Sequence, residues 1–272
     1  VVSVDIEQPF SNVPTIESSQ TEVAGLVVAN VNSTYLVLTS SSLLEPGMNY
    51  IVRLSDEVQT EAAFVCRNTA SGIGIVSINA SKLTAEQRNS IAVAQLDNSY
   101  MVKQGDLVIA SGKLYETSKG VSYGTIAGSK VEYSKDSGYE VFETSVSITA
   151  GGFAILFNSE GNVVGVSKAS TDTSSKFIGI SDLKAQIETM INEHGIMYCG
   201  ITGQNVTEEL AAKYGLPSGV YISNVDIDSP AYYAGLQAGD VISAINGQSV
   251  LTIQQFSEKL YQCESGQQIS IT

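Results

Sequence analysis

Short apolar runs rich in valine and isoleucine recur through residues 1–180, and glycine, asparagine and serine turns separate them. β-Branched side chains pack well on a pleated surface, so these runs indicate strands. Many short strands with frequent turns are typical of a β-barrel or a β-sandwich. The clearest runs are residues 25–30, 35–39, 50–54, 73–78, 106–110 and 163–166.

The pattern changes from strands to a helix after residue 180. Ser181 is a candidate N-cap, and apolar residues then recur at the three- and four-residue spacing of one helix face. Gly195 is placed to end this helix. The apolar residues are Leu183, Ile187, Met190 and Ile191.

These changes predict a β domain over 1–180, a connector helix over 181–194 and a second domain over 195–272. The last segment mixes strands with two predicted helices, at 207–214 and 252–262. A length of 272 residues suffices for two domains.

Composition narrows the class of partner. The chain has 14 Lys and Arg against 28 Asp and Glu, a net charge of −14, which disfavours nucleic acid as a partner. Hydrophobic residues make up 43% and charged residues 15%, a globular composition. No apolar run approaches the ~20 residues of a membrane span.

Metal and cofactor chemistry is not expected. The cysteines are Cys66, Cys199 and Cys263, and their spacing matches neither a disulfide framework nor a metal cluster. A single histidine, His194, is too few for most zinc sites. We therefore expect no cofactor.

Residues 143–158 read ETSVSITAGGFAILFN, and GNVVGV follows at 161–166. This region resembles the active-site region of HtrA/DegP-type trypsin-like proteases, which reads T-D-A-x-I-N-x-G-N-S-G-G-P-L-x-N and then G-x-V-I-G. The resemblance implies a trypsin-like double β-barrel. In its frame, the position of the nucleophilic serine is Gly152.

The other two triad positions follow from the same resemblance. Residues 35–44, YLVLTSSSLL, are similar to the family's Y-I-L-T-N-x-H-V-V, which places Ser42 at the histidine position. Residues 71–78, SGIGIVSI, are similar to T-D-L-A-V-L-K-I, which places Gly72 at the aspartate position. A trypsin-type mechanism needs a nucleophile, an imidazole base and an orienting carboxylate. We therefore expect no catalytic triad and no enzyme.

Other sets of residues remain open as alternatives. Cys199 lies five residues after His194, so a cysteine–histidine pair is one of them. A serine among residues 40–42 acting with Lys168 is another. The backbone amides of residues 150–152 form either an anion-binding nest or an ordinary turn.

Residues 219–225, GVYISNV, precede SPAYYAGLQAGDVI at 229–242 and ING at 245–247. This long motif resembles the PDZ domain of HtrA relatives. Such domains bind extended C-terminal peptides by adding a strand to their own sheet. The resemblance places an α+β peptide-binding domain after the barrels, giving a mainly β fold overall.

The resemblance also names the peptide-binding residues. The loop that holds the peptide's carboxylate in the family reads Y-L-G-I and matches Tyr198, Cys199, Gly200 and Ile201. The opposite wall of the groove is the predicted helix at 252–262, where some side chains are pocket residues and others only core. Its candidate pocket residues are Ile253, Phe256 and Leu260. In this arrangement Cys199 and Cys263 approach each other, and a disulfide between them is a hypothesis for an oxidising compartment.

The leading function is a non-catalytic HtrA-like protein that binds peptides or protein C-termini, as a scaffold or regulator in extracytoplasmic protein quality control. The alternatives are a serine endopeptidase with a non-standard active site and a structural protein with a closed groove. A second copy of this chain or an active HtrA relative is a candidate partner. By analogy we expect a bacterial, extracytoplasmic protein anchored in the membrane through a segment absent from this chain. Its strand-like start without a signal peptide suggests trimming.

Overall fold

The computed structural model describes residues 1–7, 21–55, 58–115, 119–168, 170–192, 196–264 and 266–272. The chain divides into two compact units. The first unit comprises Val1–Ser129 and Val141–Ser181, and the second comprises Lys130–Glu140 and Asp182–Thr272. Residues 130–140 are called the hairpin tip below, because they connect two paired strands of the first unit while belonging to the second. The domain boundaries drawn from the sequence stay predictions.

The first six strands close into an antiparallel barrel in the order β1-β2-β3-β6-β5-β4. Its interior is apolar, and Val4, Val37, Val52 and Val76 are fully buried there. Each of these six described strands pairs with two neighbours, as a closed barrel requires. The strands are β1 Val2–Glu7, β2 Thr21–Val31, β3 Thr34–Ser40, β4 Asn49–Arg53, β5 Gln59–Asn68 and β6 Ile73–Asn79.

A short helix, α1 (Ala85–Ser90), leads to a second closed barrel in the order β10-β11-β12-β9-β8-β7. Burial alternates along residues 107–113 and 142–148, because successive side chains point to opposite faces, whereas residues 163–167 are buried throughout. The two closed barrels confirm the predicted double barrel, and all six clearest apolar runs lie on strands. The strands are β7 Leu107–Lys113, β8 Gly120–Ser134, β9 Ser137–Ile148, β10 Phe153–Phe157, β11 Val163–Ser167 and β12 Ser174–Gly179.

The helix after the second barrel is α2 (Ile180–Ile191). It buries Leu183, Ile187 and Met190, as the sequence spacing predicts. Ser181, the expected N-cap, instead lies inside the first turn, where its hydroxyl accepts a hydrogen bond from the amide of Ser99 at 2.8 Å. The expected helix end at Gly195 lies outside the described residues.

In its described residues, the rest of the second unit has a three-stranded sheet in the order β13-β14-β15, a two-stranded sheet and three helices. Thr207 and Thr252 cap the two predicted helices, and Ser229 caps a third, with Pro230 in its first turn. The elements are β13 Ile201–Asn205, α3 Glu208–Tyr214, β14 Val220–Val225, α4 Pro230–Tyr233, β15 Val241–Ile242, β16 Ala244–Ile245, β17 Gln248–Ser249 and α5 Ile253–Tyr261.

Two glycines in strands of the second barrel should differ in how much an alanine substitution changes the stability of the protein. Gly112 has φ +146°, and a Cβ there would lie 2.5 Å from the carbonyl oxygen of Phe153. We expect Gly112→Ala to destabilise the protein by about 2–4 kcal/mol through backbone strain and overpacking. Gly128, in β8, has nothing within 4 Å of such a Cβ, so Gly128→Ala should change stability by less than about 0.5 kcal/mol. Equal unfolding midpoints in urea would contradict this account.

Candidate functional site

Three consecutive backbone amides converge on one carboxylate just before β13. The amide of Cys199 donates to Oδ2 of Asp136 at 2.9 Å, and the amide of Ile201 donates to Oδ1 at 2.8 Å. The amide of Gly200 lies between them and donates to both oxygens, at 2.8 and 2.9 Å. The predicted carboxylate-binding loop therefore holds a carboxylate, and that carboxylate belongs to the hairpin tip.

The shape of this loop depends on Gly200 and on the segment behind it. Gly200 has φ +93°, and a Cβ there would lie 2.2 Å from the Cβ of Ser229, so only glycine fits. Behind the loop, the carbonyl of Cys199 accepts from the amide of Ala231 at 2.9 Å, and the carbonyl of Gly200 accepts from that of Asp226 at 2.8 Å. With the carbonyls held on one side, the amides present their hydrogens together on the other.

Asp136 is nearly fully buried at 4% exposure, and its backbone has φ +54°. Burial raises the pKa of this carboxyl, while the hydrogen bonds from Ile201, Gly200 and Cys199 oppose the rise by stabilising the charged form. Its own amide donates to the carbonyl of Ile201 at 2.8 Å. Side chain and backbone of Asp136 thus both bind the loop.

An exposed cluster surrounds the rim of this contact. The Nζ of Lys135 lies 2.7 Å from Oδ2 of Asp226, and the Tyr198 hydroxyl donates to the same oxygen at 2.8 Å. The Tyr198 hydrogen bond to Asp226 raises the pKa of Tyr198 to about 12. The hydrogen bond from Lys135 lowers the pKa of Asp226, and the same contact raises the pKa of Lys135. Because these groups face water, the cluster adds little stability.

The hairpin tip also covers the edge of the sheet. β13 is the outer strand of its three-stranded sheet, and Lys135 forms an antiparallel bridge with Thr202 there. An outer strand offers unpaired backbone groups to another segment. At this point the hairpin tip takes those groups.

The predicted groove residues on α5 are all buried: Ile253 and Phe256 at 0% exposure and Leu260 at 4%. All three belong to the apolar core of the second unit. Ile253 also faces the hairpin tip, since a Cβ on Gly138 would lie 2.4 Å from its Cγ2. The assignment of these side chains to a peptide pocket stays a prediction.

Sequence reasoning missed Asp136. It lies in a tight turn of the kind that aspartate commonly occupies, so local sequence gives no sign of a partner more than sixty residues away. The signal present in the sequence is the resemblance of residues 198–201 to the family's carboxylate-binding loop, which implies a carboxylate as its ligand. Which carboxylate binds depends on the fold.

The structure brings two of the three predicted triad positions close together. Ser42 lies in the 3₁₀ turn Ser41–Leu43, and its hydroxyl is 2.8 Å from that of Ser40. The amide of Ser41 donates to the carbonyl of Gly72 at 2.9 Å, so the turns that carry the first two positions are adjacent. The assignment of Ser42, Gly72 and Gly152 to triad positions stays a prediction.

Gly152 has no space for a side chain in this conformation. A Cβ there would meet Ile148 Cγ2 at 2.6 Å and the carbonyl oxygen of Lys113 still closer. Its amide donates to the carbonyl of Thr149 at 2.9 Å, and the amide of Gly151 donates to that of Ser170 at 3.1 Å. Of the two readings of residues 150–152, these paired amides fit the ordinary turn.

Other predicted groups are placed as follows. His194 lies outside the described residues, so its pairing with Cys199 stays open. Within the described ranges, no group of three or more His, Cys, Asp or Glu residues could hold a metal ion. No helix in that same part of the chain is long and apolar enough to cross a membrane.

Comparison with known proteins defines the class. The model of the trypsin-like peptidase domain matches residues 24–166, and that of the PDZ domain matches residues 221–270. Fold and site together define a trypsin-like double barrel joined to a PDZ domain. The chain belongs to the HtrA/DegP-like family of trypsin-like peptidases that carry a PDZ domain.

Individual relatives are distant but cover most of the chain. A probable periplasmic serine endoprotease, DegP-like, of Pseudomonas savastanoi is 27% identical over 226 residues, covering 79% of this chain and 46% of the relative. Its counterpart in Ectopseudomonas mendocina is 28% identical with the same coverage. The chain thus spans about half the length of the curated relatives that it matches.

Solved structures show the same fold. The HtrA-type protease AlgW with a tripeptide has a TM-score of 0.67 at 20% identity, covering 99% of this chain and 87% of that one. The same protease with a decapeptide gives 0.63 at 20% identity, covering 99% and 89%. At such identity the likeness concerns the fold.

The prediction that the chain is not an enzyme is wrong by this comparison. The relatives are named serine endoproteases, and the solved neighbours are HtrA-type proteases. The prediction rested on the residue types at Ser42, Gly72 and Gly152. Those types do not exclude hydrolysis, because serine hydrolases on other folds use bases other than an imidazole.

The thiols give a direct test of the predicted disulfide. Cys66, Cys199 and Cys263, all within the described residues, form no disulfide in the structure, so denatured, unreduced protein should titrate as three thiols. Burial raises the pKa of Cys199 to about 12, and only the thiolate reacts. We expect native Cys199 to be alkylated at pH 8 at least a hundred times more slowly than the unfolded residue, with Cys199→Ala identifying its peak by mass spectrometry. One thiol instead of three would show a disulfide, and mapping the remaining thiol to Cys66 by mass spectrometry would identify it as the Cys199–Cys263 bond.

Proposed function

We propose that this chain binds peptides or protein C-termini at the loop of Cys199, Gly200 and Ile201, beside β13. The observation that carries the proposal is the convergence of three consecutive amides on one carboxylate. Backbone amides bind any carboxylate presented at that position, including the free C-terminus of a peptide. Hydrogen bonds to a charged acceptor are among the stronger ones, so the carboxylate is the expected anchor.

Two comparisons support this function. The matched PDZ model describes a class of domain that binds peptides by strand addition. The solved neighbour AlgW is described with a decapeptide and with a tripeptide. By the same reasoning we propose peptides and protein C-termini as partners, with a copy of this chain or an HtrA relative as a further partner.

The names of the relatives support a location. The relatives are named as probable periplasmic serine endoproteases. We propose an extracytoplasmic location and a role in protein quality control for this chain. As a scaffold or regulator there, it would recognise exposed C-termini through the loop. Membrane anchoring stays a prediction.

Peptide binding should depend on a free C-terminal carboxylate. Pairs of library peptides with an acid or an amide at the C-terminus should differ at least tenfold in Kd, because amidation removes the charged acceptor from three donors. Isothermal titration of the full chain measures this difference. Equal affinity for both forms would overturn carboxylate capture.

Two glycine variants test whether the preference for a free carboxylate depends on the shape of the loop. Gly200→Ala should abolish the preference, since its Cβ would collide with Ser229. Gly215→Ala should retain the preference. Gly215 also has a positive φ, but nothing lies within 4 Å of a Cβ there, so this variant carries the backbone strain without altering the loop.

Serine-type endopeptidase activity is the second candidate. The names of the relatives favour it, and so does the pair of hydroxyls on Ser40 and Ser42, 2.8 Å apart in the turn next to Gly72. The family chemistry needs a base for the nucleophile. The one imidazole of the chain belongs to His194, and Lys168 is the other base considered from the sequence.

This candidate predicts casein cleavage and covalent labelling by a fluorophosphonate probe. Both should fall at least a hundredfold in Ser42→Ala if its hydroxyl is the nucleophile, because the covalent intermediate can then no longer form. Ser90→Ala is the matched control, since its exposed hydroxyl donates to the carbonyl of Gln87 within its own helix. Failure of the wild-type chain to take up the probe would exclude the candidate.

A further inference from the structure

We infer that the hairpin tip is a built-in ligand that occupies the peptide groove, so that peptides bind only by displacing it. The inference rests on the proposed function, because it concerns the regulation of the same groove. The hairpin tip is defined above as residues 130–140, and Asp136 lies at its turn.

The hairpin tip reproduces both parts of peptide recognition by such a groove. A bound peptide offers a carboxylate to the loop and a strand to the sheet edge. Asp136 supplies the carboxylate to three amides, and its own amide donates to the carbonyl of Ile201. Lys135 then pairs in antiparallel register with Thr202, as the preceding residue of a bound peptide would.

The returning strand of the hairpin extends the blockage to α5. Gly138 lies against Ile253, where a methyl group would already collide with Cγ2. Ser137 and Tyr139 are buried, and the buried Tyr261 of α5 makes side-chain hydrogen bonds with both. A peptide therefore cannot enter alongside the hairpin tip, because the tip occupies the loop, the sheet edge and the helix face together.

Several features limit the stability of the docked hairpin tip, which makes its displacement by a peptide feasible. Asp136 adopts the left-handed region, which is less favourable than other backbone conformations for a residue with a Cβ. Burial of its carboxylate opposes the gain from the amides, as the raised pKa of Asp136 reflects. The ion pair of Lys135 with Asp226 is exposed and contributes little. A tethered ligand competes through its effective concentration, so modest intrinsic affinity suffices to close the groove.

The test compares the affinity of the 272-residue wild-type chain for a peptide with the affinity of its Asp136→Asn variant. The probe is a fluorescein-labelled hexapeptide VEYSKD with a free C-terminus, the sequence of residues 131–136, followed by anisotropy. An asparagine amide presents a donor to the loop amides, so docking weakens while the loop stays intact. We expect at least tenfold tighter binding to the variant. Asp172→Asn, which removes an exposed carboxylate from the loop between β11 and β12 and lies outside the hairpin tip, should bind like wild type.

The outcomes separate the inference from the proposed function. Equal affinity of wild type and Asp136→Asn would overturn the built-in ligand and leave peptide binding standing. If neither protein binds VEYSKD or any member of a C-terminal peptide library, the proposed function itself fails.

Hydrogen exchange of the wild-type chain also tests whether a peptide displaces the hairpin tip, and it does not depend on the folding of a variant. Saturating peptide should speed exchange across residues 130–140 at least tenfold, because displacement breaks the bridge between Lys135 and Thr202. Unchanged protection of this segment while peptide is bound would show that the tip is a fixed structural element.

Discussion

The contact between the Asp136 carboxylate and three backbone amides governs the second unit of this protein. It fixes the loop before β13, places Lys135 on the sheet edge and brings Gly138 against Ile253. A buried carboxylate is tolerated only when hydrogen bonds replace its lost hydration, and here three donors do so. Removing the carboxylate would leave the three amides without this acceptor. In the proposed function the same amides would bind the carboxylate of a peptide.

Local rules explain how much of the fold was predictable from sequence. Strand runs such as residues 73–78 and 163–166 were identified because valine and isoleucine mark buried strands. The caps at Ser229 and Thr252 satisfy amides within their own helices, so they depend on nearby residues alone. Ser181 shows the limit of such local rules. Its hydroxyl accepts a hydrogen bond from the amide of Ser99, which is distant in sequence, and α2 begins at Ile180, one residue before Ser181.

The candidate site was predictable only in part. The loop of Cys199, Gly200 and Ile201 was predicted from its resemblance to the family's Y-L-G-I motif, and in the structure its three amides surround one carboxylate. Its occupant could not be predicted, because Asp136 reaches it across more than sixty residues of chain. The expectation of no enzyme failed for a related reason: residue types at separate positions do not define which groups meet in a folded cleft.

Backbone amides bind a side-chain carboxylate and a chain terminus through the same hydrogen bonds, so the loop by itself cannot tell them apart. Discrimination must come from what accompanies the carboxylate: pairing along β13 and contact with Ile253. The hairpin tip satisfies both, but with the backbone of Asp136 in the left-handed region. In the proposed mechanism, a peptide that pairs along β13 without this backbone conformation has the advantage over the hairpin tip. Selectivity of the proposed groove would then consist of the surplus in affinity over its own hairpin.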